Sequence, residues 1–337
     1  MTVPEITETN YDVCRVCGSK NFRVLGEVEY FINYAYQVSD CIDCGCLYTP
    51  HNDAVHEIFH QSGAISYYAD YRELAAEIGK LFAGRKKSEL RHRLCSEASK
   101  YRFVIEQVKQ LSLGADCLEV GCSRGYLTSS LILDGRNILG VDVSKDAVNE
   151  AQAVFGDHFA LVDSERAENG GPYDFIYHVG VIGCVANPIE LTRKLLEKLK
   201  PGGKLVFNAP NRNACVLRDQ LWLDSAPPPD LVTLFPHDFW RNQFGDLAEV
   251  QETIEVRSPG ENFSLWLDQV VRRRWSKPQS QPLTQSDERR VWLQPSELAW
   301  HWIQRSVGKG ARMVGVDKLF PAIPTDFGLF VTLRRKN

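Results

Sequence analysis

The chain has 337 residues, 44% apolar and 24% charged, with a formal net charge of -4 and a pI near 6.1. These are ordinary globular values at a length that can bury a sizeable core, and the acidic balance argues against nucleic acid as the main partner. No apolar run approaches the roughly 18 residues that span a bilayer. The opening MTVPEITETNYD lacks a basic-then-apolar leader, so a cytoplasmic protein with no membrane partner is expected.

Residues 1–50 hold two CxxC pairs, Cys14/Cys17 and Cys41/Cys44, with Gly18 and Gly45 directly after each pair. Each pair can place two thiolates on one metal, and together they complete a tetrahedron with no position left for water. Structural zinc in a ribbon-like module is the expectation, with Cys46 as a bystander. Residues 51–113 read as a helical cap. It carries Tyr67, Tyr68 and Tyr71 near its start, a basic stretch around Arg85–Arg93, and Phe103, Val104, Val108 and Leu111 at helical spacing.

From Cys117 the pattern changes to strands alternating with helices, which implies a parallel sheet covered on both faces. Strands are expected at 117–121, 138–141, 159–162, 175–178 and 204–208. Helices are expected at 125–133 and 145–155, and from Asn187, where a capping residue, a proline and an acid follow one another. Pro201-Gly202-Gly203 reads as the end of that helix. Residues 247–256 and 329–333 supply a sixth and a seventh strand, and between them lies an insertion at about 258–326. The expected fold is therefore a doubly wound, seven-stranded Rossmann-like α/β domain over 114–337, preceded by the zinc module and the helical cap.

The sharpest local signal is Leu118-Glu119-Val120-Gly121-Cys122-Ser123-Arg124-Gly125-Tyr126, a strand, a glycine-containing turn and a helix start. Such a turn opens a ligand crevice at the carboxyl ends of the strands. Asp142, at the end of the next strand, can accept hydrogen bonds from both hydroxyls of a ribose. A dinucleotide fingerprint needs small residues where Ser123 and Tyr126 stand, so a pyrophosphate-containing ligand fits poorly. Glu119 can pair with an ammonium group.

LEVGCSRGYL, followed by GVDVS, YDFIYHVGVIGCVANP and LKPGGKLVFNAPN, resembles the class I S-adenosylmethionine-dependent methyltransferases over about residues 100–215. The resemblance implies S-adenosylmethionine as cofactor, with Glu119, Gly121, Cys122, Gly125 and Tyr126 around the methionine moiety. It places Asp142 on the ribose, Val143 against the adenine, Asp163 and Ser164 near the adenine amine, and His178 and Val179 on the floor beneath the methyl group. A zinc ribbon ahead of such a domain is similar to a subgroup acting on nucleotide-linked sugars, polysaccharide precursors and natural-product intermediates. That implies methyl transfer to oxygen or carbon of a small-molecule acceptor.

The general base is the weak link. Where many relatives carry a Glu-His pair this chain has Gly183-Cys184, and the later substrate segment reads Pro229-Asp230. The remaining candidates are His178, His237, Asp230, Tyr67 and Tyr68. His178 can equally be a pocket wall, and His237 a capping residue. Arg272-Arg273-Arg274 fits a diphosphate or a solvated helix face, and Trp292, Trp300 and Trp302 a pocket or a core. Two rival functions stand beside the small-molecule enzyme: an RNA methyltransferase that reads RNA with the ribbon, and a non-catalytic cofactor-binding scaffold. A nicotinamide enzyme is a more distant fourth.

Overall fold

The structure is a computed structural model that describes residues 12–30, 34–49, 71–223, 226, 228, 230–257 and 323–336. The N-terminal strands are β1 (Phe22–Tyr30), β2 (Tyr34–Cys41) and β3 (Leu47–Tyr48), and three helices follow: α1 (Tyr71–Ala83), α2 (Lys87–Glu97) and α3 (Ser99–Val108). The alternating region runs β4 (Asp116–Val120), α4 (Thr128–Leu133), β5 (Asn137–Asp142), α5 (Lys145–Phe155), β6 (Phe159–Leu161), α6 (Glu165–Glu168) and β7 (Tyr173–His178). It continues with α7 (Pro188–Glu197), β8 (Leu199–Pro210), α8 (Asn213–Arg218), β9 (Thr233–Leu234), α9 (Phe239–Phe244), β10 (Ala248–Arg257) and β11 (Ile323–Arg335).

The large sheet has seven strands in the order β10-β11-β8-β7-β4-β5-β6. Strands β6, β5, β4, β7 and β8 pair in parallel, and β11 enters antiparallel between β8 and β10. The order reverses at β4, so the crevice at the carboxyl end of β4 is where this architecture takes a ligand.

Strand parity divides the core about the large sheet in two. Leu118, Val120, Ile176, Phe207 and Trp240 belong to one buried cluster, whereas Cys117, Phe159, Phe175 and Tyr177 join Leu74, Ile78, Leu90, Leu94 and Val104 of the cap helices in the other. The helices end where local chemistry directs. The Ser144 hydroxyl accepts from Ala147 N and starts α5, and the Asn187 side chain accepts from Glu190 N with Pro188 at the first helical position of α7.

Two local expectations shift. The helix expected from Gly125 begins at Thr128, because the turn uses the intervening residues. Pro201-Gly202-Gly203 lies inside β8: pairing with β7 jumps from Tyr173↔Leu199 to Phe175↔Lys204, so the glycines form a bulge and the strand starts before them.

The cysteine-rich segment builds a separate four-stranded sheet, β1-β2-β3-β9, whose last strand comes from Thr233–Leu234 far along the chain. Residues 12–49 are thus stitched to the larger domain by backbone pairing. Among the described residues no helix is long and apolar enough to cross a membrane. Arg257↔Ile323 is the outermost pair of β10 and β11, so the expected insertion falls between these strands. Its Arg272–Arg274 and Trp292, Trp300 and Trp302, together with Tyr67 and Tyr68 of the cap, lie outside the described residues.

Candidate active site

The turn after β4 is built from left-handed backbone. Gly121 has φ +74°, Ser123 φ +48° and Gly125 φ +72°. A serine in this region is uncommon and concentrates at functional turns. Its reward is visible: Ser123 N donates to Asp142 Oδ2 at 2.7 Å, while Ser144 N donates to Asp142 Oδ1 at 2.9 Å. Sequence reasoning treated Ser123 as a departure from a glycine template, yet it adopts the glycine-like conformation and ties the turn to β5.

Gly125 is sterically obligatory. A Cβ there would stand 2.5 Å from Phe159 Cζ and 3.1 Å from Ala151 Cβ. Combined with the positive φ, Gly125→Ala should cost about 3 kcal/mol. The check is a fall in the urea midpoint at unchanged m value, and a midpoint equal to wild type would refute the packing argument.

The carboxylate of Glu119 is turned beneath this turn. It is 3% exposed and accepts from the Thr128 hydroxyl and, at 2.9 Å, from the Tyr177 hydroxyl. Register explains the placement: Glu119 is paired with Tyr177, so the two share a sheet face. Burial raises the Glu119 pKa to about 8, against the lowering effect of both hydroxyls. Cys122 is also buried. Tyr126 is buried too, with its hydroxyl 3.1 Å from that of Tyr101 on α3, which links the turn to the helical cap.

At the other end of the crevice Asp142 stays accessible, although burial raises its pKa while the Ser144 and Ser123 amides lower it. The next residue, Val143, is 59% exposed at the end of a core strand. Asp163 is exposed, whereas Ser164 caps α6: its hydroxyl accepts from Ala167 N and donates to Leu161 O.

The two histidines part from expectation. His178 was expected to face the crevice from a strand end. It is 0% exposed, and its ring stacks on Phe207 at 4.6 Å, on the sheet face opposite Tyr177 and Glu119. Burial lowers its pKa to about 3, so the ring is neutral, and among the described residues neither ring nitrogen has a hydrogen-bond partner. His237 precedes α9, with Nδ1 3.0 Å from Asp238 Oδ2. The buried Glu252 of β10 accepts from the backbone N–H groups of Asp238 and Arg241 and anchors that helix start. Strand β10 is three strand spacings from β7, roughly 14 Å, so the structure does not bring His237 to the crevice. His237, Asp238 and Glu252 do form a cluster of possible ligand atoms.

The missing acid at Gly183 has a steric reason. A Cβ there would stand 2.6 Å from Pro210 Cγ and 2.8 Å from Leu231 Cδ2. Cys184 beside it is buried, with its thiol on Gly180 O at 3.4 Å. Gly183 O instead accepts from Val232 N at 2.8 Å and Thr233 N at 3.1 Å, which joins the segment after β7 to β9.

The four cysteines do converge. Cys14 Sγ lies 3.7 Å from Cys44 Sγ, Cys17 Sγ lies 3.6 Å from Cys41 Sγ, and all four sulfurs lie within 4.8 Å of one another. A tetrahedral ion with metal–sulfur bonds of about 2.3 Å requires sulfur separations of roughly 3.8 Å. Gly18 (φ +75°) and Gly45 (φ +72°) close the two knuckles, donating to Cys14 O and Cys41 O. Two arginines that no sequence motif specifies connect this module to the large domain. Arg15 donates to Val185 O at 2.8 Å and to Thr49 O at 3.2 Å. Arg212 donates to Asp40 Oδ1 at 2.8 Å and to Gly45 O.

The sequence profile of the methyltransferase domain family matches residues 72–247, just over half of the chain. Ubiquinone biosynthesis O-methyltransferase of Vibrio parahaemolyticus is 30% identical over 118 residues, which cover 33% of this chain and 50% of that protein. The protein of that name from Aromatoleum aromaticum is 25% identical over 146 residues, covering 38% and 62%. The chain thus spans about half the length of the curated relatives it matches. Among solved structures, phosphoethanolamine N-methyltransferase 2 of Haemonchus contortus with bound S-adenosyl-L-methionine is similar at 13% identity and TM-score 0.42, over 70% of this chain and 52% of that one. With the profile match across the cap helices, the glycine turn and strands β4 to β8, the chain belongs to the methyltransferase domain family, that of the class I S-adenosylmethionine-dependent methyltransferases.

Proposed function

We propose that this chain transfers a methyl group from S-adenosylmethionine to an oxygen or carbon atom of a small-molecule acceptor. The observation that carries the reading is the pairing of Ser123 N with Asp142, which holds the glycine turn and the end of β5 as two walls of one crevice. S-adenosylmethionine supplies an electrophilic methyl group on a positively charged sulfur.

Asp142 would receive the ribose hydroxyls, since a carboxylate has about four acceptor sites and two are filled by Ser123 N and Ser144 N. The exposed Val143 offers an apolar face to the adenine, and the exposed Asp163 would meet the adenine amine. The Asp142 charge opposes ionisation of Glu119 beside the turn, an arrangement that favours a cationic ligand over a phosphate. Relatives named for O-methylation in ubiquinone biosynthesis support oxygen as the acceptor atom. The four-sulfur group fits a structural Zn²⁺, which would fix the N-terminal sheet against the segments after β7 and β8.

Asp142→Ala is expected to weaken S-adenosylhomocysteine binding tenfold or more, about 1.4 kcal/mol, in calorimetric titrations of metal-replete protein. Wild-type protein that is folded and metal-loaded yet binds no S-adenosylhomocysteine would sink the enzyme reading. Binding without turnover on any metabolite extract would favour a scaffold.

A further inference from the structure

We propose that Lys100 pairs with the reacting oxygen of the acceptor and holds it as an anion, so that the acceptor class is an acidic hydroxyl compound, a phenol or a carboxylic acid, on an apolar frame. The inference rests on the methyl-transfer reading above.

The first turn of α3 is fixed over the carboxyl edge of the sheet. The Ser99 hydroxyl donates to Glu255 Oε1, Arg102 donates to Val256 O at 3.0 Å, and Phe103 stacks on Phe330 at 4.4 Å. This places Lys100 Nζ 3.8 Å from the point that a Cβ on Gly180 would occupy, two residues beyond the end of β7. The Gly180 N–H is held by Asn208 Oδ1 at 2.8 Å. The neighbouring Val181 packs so tightly against Gly121 that a Cβ there would overlap it. The ammonium therefore stands at the Gly121 end of the crevice, on the opposite side from Asp142 and Val143.

Lys100 is half-buried and, among the described residues, has no hydrogen-bond or ion-pair partner. Its aromatic neighbour is the Tyr101 ring, at 5.8 Å. Tyr101 in turn packs edge-on against Tyr126, an aromatic surface that suits a monoanionic oxygen on a carbon frame better than a phosphate. Among the described residues, the titratable groups near this edge include Cys184, whose thiol burial keeps protonated, Asp230 and Arg15, which act on Cys184 together with Lys100, and Glu255, which accepts from Ser99.

An ionised acceptor also needs no base at the position where Gly183 replaces an acid, and neither His178 nor His237 is brought to the crevice. The oxygen lone pair forms the new oxygen–carbon bond as the sulfur–carbon bond breaks, S-adenosylhomocysteine departs, and opposite charges on sulfur and oxygen are neutralised with no proton to remove. A lysine point charge stabilises the oxygen before the reaction and positions it for in-line attack.

The test uses full-length, metal-replete protein saturated with S-adenosylhomocysteine, and para-nitrophenol and benzoate as probes. Cofactor binding is measured first, so its failure sinks the methyl-transfer reading separately. Wild-type protein should bind at least one probe, and bound para-nitrophenol should show an increased phenolate absorbance at fixed pH. Lys100→Met should weaken probe binding about tenfold or more and remove the spectral change, with S-adenosylhomocysteine affinity held within about twofold, while Lys100→Arg retains binding. A response to para-nitrophenol alone identifies a phenol, and a response to benzoate alone a carboxylic acid. Neither probe binding to wild type, or equal binding to Lys100→Met, overturns the proposal.

Discussion

Cys41→Ser, or removal of metal with a strong chelator, should produce the largest loss of structure available to a single change in this protein. Structural zinc bound by four thiolates contributes on the order of 10 kcal/mol of apparent folding free energy in isolated fingers at neutral pH, because the site does not exist in the unfolded chain. Here the cost is not confined to residues 12–49. Cys41 ends β2, β2 pairs with β3, and β3 pairs with β9, whose neighbour Val232 donates to Gly183 O after β7. Asp40, beside Cys41, and Gly45 both hold Arg212, so loss of the knuckle also frees the end of β8. The expected result is one bound zinc per chain in wild type and a thermal transition lowered by 10 °C or more, roughly, on chelation or substitution. Hydrogen exchange should rise in residues 230–235 as well as in β2. Purified protein without metal and with an unchanged transition would show that the four sulfurs converge for packing alone.

The parts of this site that were legible in the sequence are those whose chemistry is local. Two CxxC pairs followed by glycine specify a knuckle without reference to the rest of the chain, and the sulfurs meet as that spacing implies. The helices at 145–155 and from Asn187-Pro188 appear where expected, and each start is held by a hydrogen bond within one turn, from Ala147 N to Ser144 and from Glu190 N to Asn187. The sixth and seventh strands were expected at 247–256 and 329–333, although the antiparallel insertion of β11 between β8 and β10 was not.

What could not be read depends on contacts distant in sequence. Strand β9 is two residues long, too short for any period, and exists because β3 offers an edge. The facing of His178 is a matter of parity: it pairs with Val120 and Phe207, so its side chain falls on their side of the sheet while Tyr177 takes the other. A shift of one residue in register would have exchanged them. Gly183 looked like a lost acid, and the reason it is glycine lies in Pro210 and Leu231, which fill the space a side chain would need.

Glu119 provides the second large effect, a stability that falls as pH rises. In the unfolded chain this carboxyl titrates near its ordinary value of 4.5, whereas in the fold burial holds its pKa at about 8. Between those values the native state binds a proton that the unfolded state has released, so the derivative of unfolding free energy with pH is negative. The group's cost is absent below about pH 4.5, grows through neutrality and levels off above about pH 8. Over that window it amounts to on the order of 4–5 kcal/mol. Glutamine has the shape of the protonated acid, and its carbonyl oxygen can accept from Thr128 and Tyr177 as Glu119 does. Glu119→Gln should therefore match wild type near pH 5 and exceed it progressively toward pH 8.5 in urea unfolding of the cofactor-free protein. A cationic ligand beside the turn would lower the Glu119 pKa, so S-adenosylmethionine should flatten the wild-type slope while leaving the variant's pH dependence unchanged. If wild type and variant keep a constant difference in stability from pH 5 to 8.5, the buried carboxyl does not titrate in this range and the electrostatic account of the turn fails.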